Sequence, residues 1–207
     1  RRAHARSPCS EDEEERTMTT LNDVLGRTGV TLADVRAHLD SIPPHARVDE
    51  ATSLGRKEQG TLWSIASSSS PVTFGDLVPD SVGAMTPVPF EGQNSMPMFR
   101  RFKKVFYRQA NGEIGGRNES SISGLVGDGF YRVVTGGPDG VYIDYTKLPS
   151  GAPYGWPKIR RNDRGVSVAV YGFMQDYLRR VHGRIFIGHA VKPLVGSQGY
   201  FVLARGD

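Results

Sequence analysis

Residues 99–119 read FRRFKKVFYRQANGEIGGRNE, and the fold turns on whether this stretch is helix or strand. The spacing of Phe99, Phe102 and Phe106 suits a helix. Asn111-Gly112 follows at once, however, and this pair is the strongest short hairpin signal because a two-residue turn needs positive φ at both central positions. The reading is therefore two strands, 99–109 and 113–119. Further along, runs rich in β-branched and aromatic residues recur at 129–135, 140–146, 166–171, 174–181, 184–192 and 199–205, separated by Gly, Pro, Asn and Asp clusters. Eight short segments without long helical insertions predict an antiparallel up-and-down barrel or a strongly curled sheet over 99–207.

Upstream the pattern differs. Residues 1–17 contain no aliphatic side chain larger than Ala and are expected to form a disordered tail. Met18 opens a sensible helical start and is read as the natural first residue, which would make 1–17 non-native. Residues 18–70 are predicted helical: Thr20 or Asn22 caps the first turn, Thr31 and Asp34 resemble a capping box, and Pro43-Pro44 stops the second helix. A third helix is expected over about 48–66. Thr73-Phe-Gly-Asp76 suits one short turn. Residues 71–98 read as a connector, since three prolines between Thr86 and Pro97 argue against a central strand. The fold class is thus α+β, a helical N-terminal part packed on a C-terminal sheet.

Charge is divided in the same way. Residues 18–98 hold five Lys and Arg against nine Asp and Glu, whereas 99–207 hold 17 against eight. The acidic half is expected to pack on the basic half, and no nucleic-acid motif accompanies the basic residues. The longest apolar stretch, Val166 to Met174, is too short for a membrane span, which takes about 20 residues. No secretory pattern opens the chain, and its lone cysteine, Cys9, forms no disulfide framework, so a soluble, cytoplasmic protein is expected. No His-x-His or His-Glu-x-x-His spacing points to a metal, no Gly-x-Ser-x-Gly elbow to a hydrolase, and no cofactor is implied.

The last forty residues carry Asp176, Arg179, Arg180, Gly188, Phe201 and Arg205 in a pattern that resembles the C-terminal strands of an uncharacterised bacterial family of lipocalin-like domains. That family also carries a Gly-x-Trp-x-Gly segment, which neither Trp63 nor Trp156 provides here. The resemblance implies a lipocalin-like barrel and no established activity.

An eight-stranded barrel leaves room for one small ligand, so the leading expectation is a small, mostly apolar molecule bound inside. Tyr142, Trp156, Tyr171, Phe173 and His189 are the expected lining, with Arg179 meeting an acidic head group. Residues 147–163, which include Tyr154 and Trp156, are expected to form a flap over one barrel mouth. A second reading is an isomerase or cyclase with Asp144 or His189 as general base. A third is a non-catalytic module whose basic half docks an acidic protein. Asp144 sits in an apolar strand and needs a partner, for which Arg179 or Arg180 is available; Asp176 has the same choice. Asn118-Glu-Ser120 fits a glycosylation triplet by chance, and Gln93-Asn94-Ser95 is expected to satisfy loop backbone.

Overall fold

The computed structural model describes residues 19–96, 100–119, 128–163 and 167–206. The predicted tail, 1–17, and Met18 lie outside the described residues, as do parts of the expected strands at 99 and 166.

Four helices come first: α1 (Leu21–Leu25), α2 (Leu32–Ser41), α3 (Pro44–Ala51) and α4 (Arg56–Ile65). Thr20 with Asp23 and Thr31 with Asp34 form complete capping boxes, each hydroxyl accepting from the third backbone N–H. Pro44 starts α3, where its missing N–H costs nothing. The single helix expected over 48–66 is two, interrupted between Ala51 and Arg56. The short turn α5 (Phe74–Leu77) forms on Thr73 and Asp76.

The rest is a closed antiparallel barrel of eight strands in chain order, with the last paired to the first. They are β1 (Val88–Asn94), β2 (Arg101–Arg108), β3 (Ile114–Glu119), β4 (Phe130–Gly137), β5 (Gly140–Asp144), β6 (Gln175–His182), β7 (Ile185–Lys192) and β8 (Gly196–Ala204). The protein is therefore α+β, with N-terminal helices packed on a closed barrel.

Three local expectations are corrected. First, β1 lies inside the stretch read as connector and contains Pro89. The proline is tolerated because β1 pairs with β8 only over Glu91–Asn94, so Pro89 sits where the neighbouring strand has ended. Second, the expected strand at 166–171 is a short helix, α6 (Ser167–Tyr171). Its β-branched residues satisfy a strand pattern, but β-propensity yields to context. Here the chain stays at one barrel end, and Lys192 donates to the Ala169 carbonyl at 2.8 Å. Third, the β2–β3 turn is not a two-residue loop. Gly112 N–H bonds Gln109 O at 2.9 Å and Gly112 alone has positive φ, +85°, so the loop has one more residue.

Strand alternation sorts the side chains into two cores. Facing inward are Phe90, Phe106, Tyr131, Ile143, Tyr145, Leu178, Phe186, Phe201 and Leu203. Facing outward on β6–β8 are Val181, Ile185, Ile187, Val202 and Ala204, which meet Leu21, Val24, Val35, Leu39, Leu54 and Leu62 of the helices. The acidic half does pack on the basic half: Asp40 pairs with His182 at 2.7 Å, Asp80 with Arg108 at 2.8 Å, Glu91 with Lys103 at 2.9 Å, and Asp76 with Arg180.

The two ends of the barrel differ. One is stopped by Val72, Leu77 and Val78, which join the inner core. At the other, β1, β3, β5 and β7 end and β2, β4, β6 and β8 begin, and it is called the loop end below. The segment expected as a flap over a mouth runs along the outer wall at 150–156, and only its ends, Leu148 and residues 161–163, reach the loop end. Tyr107 donates to Gly151 O, Ser150 donates to Gln109 Oε1 at 2.7 Å, and Trp156 lies edge-on to Tyr107 at 5.2 Å. Tyr107 and Gln109 alternate with the inward residues of β2, which places this strap outside.

Candidate functional site

The most unusual chemistry lies inside the barrel near the loop end. Phe102, Lys104 and Phe106 share the inward face of β2, so the alternation that buries two phenylalanines also buries a lysine. Met174, Asp176 and Leu178 do the same on β6. Lys104 and Asp176 are each 1% exposed, and Nζ lies 2.7 Å from Asp176 Oδ2. Lys104 also donates to the Tyr145 hydroxyl at 2.6 Å, and Asn118 Nδ2 donates to the same oxygen at 2.8 Å. Tyr145 in turn reaches Asp176 Oδ2 at 3.2 Å.

Aromatic rings close around the ammonium. Nζ is 5.0 Å from the Tyr131 and Phe201 centroids, 5.1 Å from Tyr145 and 5.8 Å from Phe102. Two rings reach this position only because they lie flat on glycine: a Cβ on Gly188 would be 2.1 Å from Phe201, and one on Gly92 would be 2.5 Å from Phe102. Burial holds the Lys104 pKa below the usual lysine range, with the Asp176 charge and hydrogen bond opposing it. Burial, followed by the Asp176 charge, pushes the Tyr131 and Tyr145 phenols well above theirs. The Tyr131 and Tyr145 phenols thus hold their protons and remain donors.

Donors are nevertheless short. Among the described residues, Asp176 Oδ1 and Asn118 Oδ1 are buried without a hydrogen-bond partner. Such atoms cost about 1–3 kcal/mol each when left unsatisfied. The cluster meets a pocket at Tyr145, which with Thr146, Leu148, Arg161, Asn162, Asp163 and Phe173 lines a space of about 340 Å³. Asn162 fixes this wall by donating to Phe130 O at 2.6 Å and Tyr145 O at 2.9 Å. Tyr171 stacks on Tyr145 at 5.4 Å. Phe173 stands at the rim, 62% exposed and with φ +57°, a strained conformation for a bulky residue. Met96, Val168, Leu194 and Val195 are also exposed and also belong to the loop end, giving it an apolar rim.

The expected site residues do not gather in one place. Tyr171 and Phe173 lie at the loop end. Tyr142 is on the outer wall, stacked on Tyr177 at 5.5 Å. Trp156 belongs to the strap, with the Arg117 guanidinium 4.3 Å from its ring. Arg179 and His189 meet outside, on α4. Arg179 pairs with Asp139 at 3.0 Å and lies 3.9 Å from the Trp63 ring, and His189 bonds Ser197 Oγ at 2.8 Å beside Trp63 and Tyr200. Burial, then the Arg179 charge, lowers the His189 pKa. Asp144 accepts from Thr146 N at 2.9 Å and has Lys147 at 3.7 Å, so its partner is neither Arg179 nor Arg180. Asp144 and His189 each serve local structure on the outer wall.

Lys104, Tyr145 and Asn118 were missed by the sequence reading, and Asp176 was given the wrong partner. The signal was present, since a charged residue at the parity of Phe102 and Phe106 has to be buried when they are. Asn118 is 7% exposed inside the barrel, which fits no glycan.

Among the described residues no group of three or more His, Cys, Asp or Glu could hold a metal, and no helix is long and apolar enough to cross a membrane. Set against protein families, curated proteins and solved structures, the chain matches none of them.

Proposed function

We propose that the protein binds a small, mainly apolar molecule at the loop end of its barrel, and that this molecule carries a hydrogen-bond-donating group. The observation that carries the reading is the pair of buried oxygens without a partner among the described residues, Asp176 Oδ1 and Asn118 Oδ1, in a cluster that meets the pocket at Tyr145. Neither oxygen can be satisfied by another acceptor, so a hydroxyl or amine suits the cluster and an acidic head group does not. The apolar part of the ligand rests on Tyr145, Leu148 and Phe173. A few polar groups in an apolar recess is the usual composition of small-molecule sites. A closed eight-stranded barrel is also what a lipocalin-like reading requires, and that reading belongs with this proposal.

A neutral naphthalene dye with an amine N–H, N-phenyl-1-naphthylamine, has the size to test the pocket. The expected result is saturable fluorescence enhancement that Phe173→Ala weakens at least fivefold. Competition then tests the head group: 1-octanol is expected to displace the dye at lower concentration than octanoate. Absence of saturable dye binding, or octanoate competing as well as the alcohol, overturns the proposal.

A further inference from the structure

A second depression, sharing no residue with the first, lies outside the barrel between the α3–α4 connection and the start of the β1–β2 wall. It measures about 290 Å³ and is lined by Thr52, Ser53, Gln93, Arg100 and Arg101. Gln93 and Arg101 face one another in register across β1 and β2, which brings an amide and a guanidinium together on the outer face. We propose that this depression binds a phosphorylated polyol, its anion on Arg100 and Arg101 and its hydroxyls on Gln93, Thr52 and Ser53.

The charge is available. Both arginines are exposed, and neither guanidinium has a hydrogen bond or ion pair among the described residues. Glu91, two residues along β1 on the same face, does not cancel them because Lys103 holds it at 2.9 Å. Arginine forks match phosphate oxygens in geometry as well as charge.

The neutral groups specify the rest of the ligand. Gln93 is 2% exposed, yet its amide oxygen has no partner among the described residues. Thr52 spends its hydroxyl proton on Val48 O at 2.8 Å, and Ser53 spends its own on Glu50 O at 2.7 Å while accepting from Asn22 Nδ2 at 3.2 Å, which leaves Ser53 one lone pair. All three therefore present lone pairs to the depression. A bare oxyanion would meet these oxygens with its own, whereas a ligand with both an anion and hydroxyl donors satisfies both sets.

Calorimetry with glucose 6-phosphate, inorganic phosphate and glucose tests the inference. Glucose 6-phosphate is expected to bind at least tenfold tighter than phosphate, and glucose not to bind detectably. Arg100→Gln/Arg101→Gln, two exposed positions whose replacement leaves the fold intact, is expected to lose at least tenfold. Gln93→Leu, which keeps both charges, is expected to lower the preference for glucose 6-phosphate over phosphate below threefold. Vesicles containing phosphatidylinositol 4-phosphate, set against soluble inositol 1-phosphate, distinguish a lipid headgroup from a free metabolite. Equal affinity for phosphate and glucose 6-phosphate, or unchanged affinity in the double variant, overturns the proposal.

Discussion

The closed end and the loop end of this barrel are built from the same strands but solve opposite problems. At the closed end Phe90, Phe106 and Phe186 meet at ring distances of 5.5 and 5.9 Å, and Leu77 and Val78 seal the opening. These apolar groups gain by leaving water, and the charges at this end stand at its margin, with Arg180 paired to Asp76 and the Arg205 guanidinium 5.2 Å from the Phe90 ring. At the loop end Lys104, Asp176, Tyr145 and Asn118 occupy the same kind of interior, and two oxygens go unpaired. A buried ion pair seldom stabilises a fold relative to apolar residues of similar volume. The closed end is thus where stability resides, and the loop end is where stability has been given up for a polar constellation.

The largest effect should come from breaking that constellation on one side. Lys104→Met leaves Asp176 as an unpaired buried carboxylate, and Asp176→Leu leaves the lysine alone. Each is expected to cost about 3–5 kcal/mol in urea unfolding. The double variant Lys104→Met/Asp176→Leu is expected to return to wild-type stability or exceed it by about 1–4 kcal/mol. A double variant as unstable as either single one would show that the pair holds the loop end together, and the contrast between the two ends would fail.

A smaller effect tests the ring cage. Gly188→Ala places a methyl group against Phe201, where a Cβ has only 2.1 Å. Overpacking of this kind costs about 1–3 kcal/mol. The displaced ring also faces Lys104, so the variant is expected to weaken dye binding at the loop end as well. Loss of stability with unchanged binding would uncouple the cage from the pocket.

How much of this was legible follows from the same contrast. The helix starts at Thr20 and Thr31 were readable because a cap is a local event between residues three apart. Seven of the eight strands were readable from alternation and turn residues. β1 was not, because Pro89 is acceptable only where β8 has already ended, and that is a fact of the closed barrel. Residues 167–171 were misread because their β-branched side chains suit a strand in isolation. The candidate site was the least legible. Which face of β7 turns inward was undecidable from Ile185, Ile187 and His189 alone. The helices settle it by covering that face, sending His189 out to Trp63 and leaving Phe186 within. Lys104 escaped because which of the adjacent Lys103 and Lys104 is buried depends on whether this stretch is helix or strand and on which strand face turns inward. Their alternation splits them: Lys103 pairs with the exposed Glu91 and Lys104 is buried.

The smallest effect separates wall from interior by pH. Burial pushes the Tyr107 phenol, under the strap, up to about 12. Tyr131 and Tyr145 inside are pushed well above the ordinary value of 10.0, again chiefly by burial. A phenol whose folded pKa is raised retains its proton while the unfolded chain releases its own. Stability is therefore intact below pH 10 and declines as pH rises toward 12. Tyr107 alone accounts for about 1 kcal/mol at pH 11, since one pKa unit corresponds to roughly 1.4 kcal/mol. Absorbance at 295 nm reads phenol ionisation, and circular dichroism reads loss of structure. Tyr131 and Tyr145 are expected to ionise only together with unfolding. Substituting Tyr107→Phe should remove the portion due to the wall and leave the interior transition in place. If all tyrosines instead ionise before any loss of structure, water already reaches the Lys104 cluster, and the loop end is open rather than sealed beneath its rim.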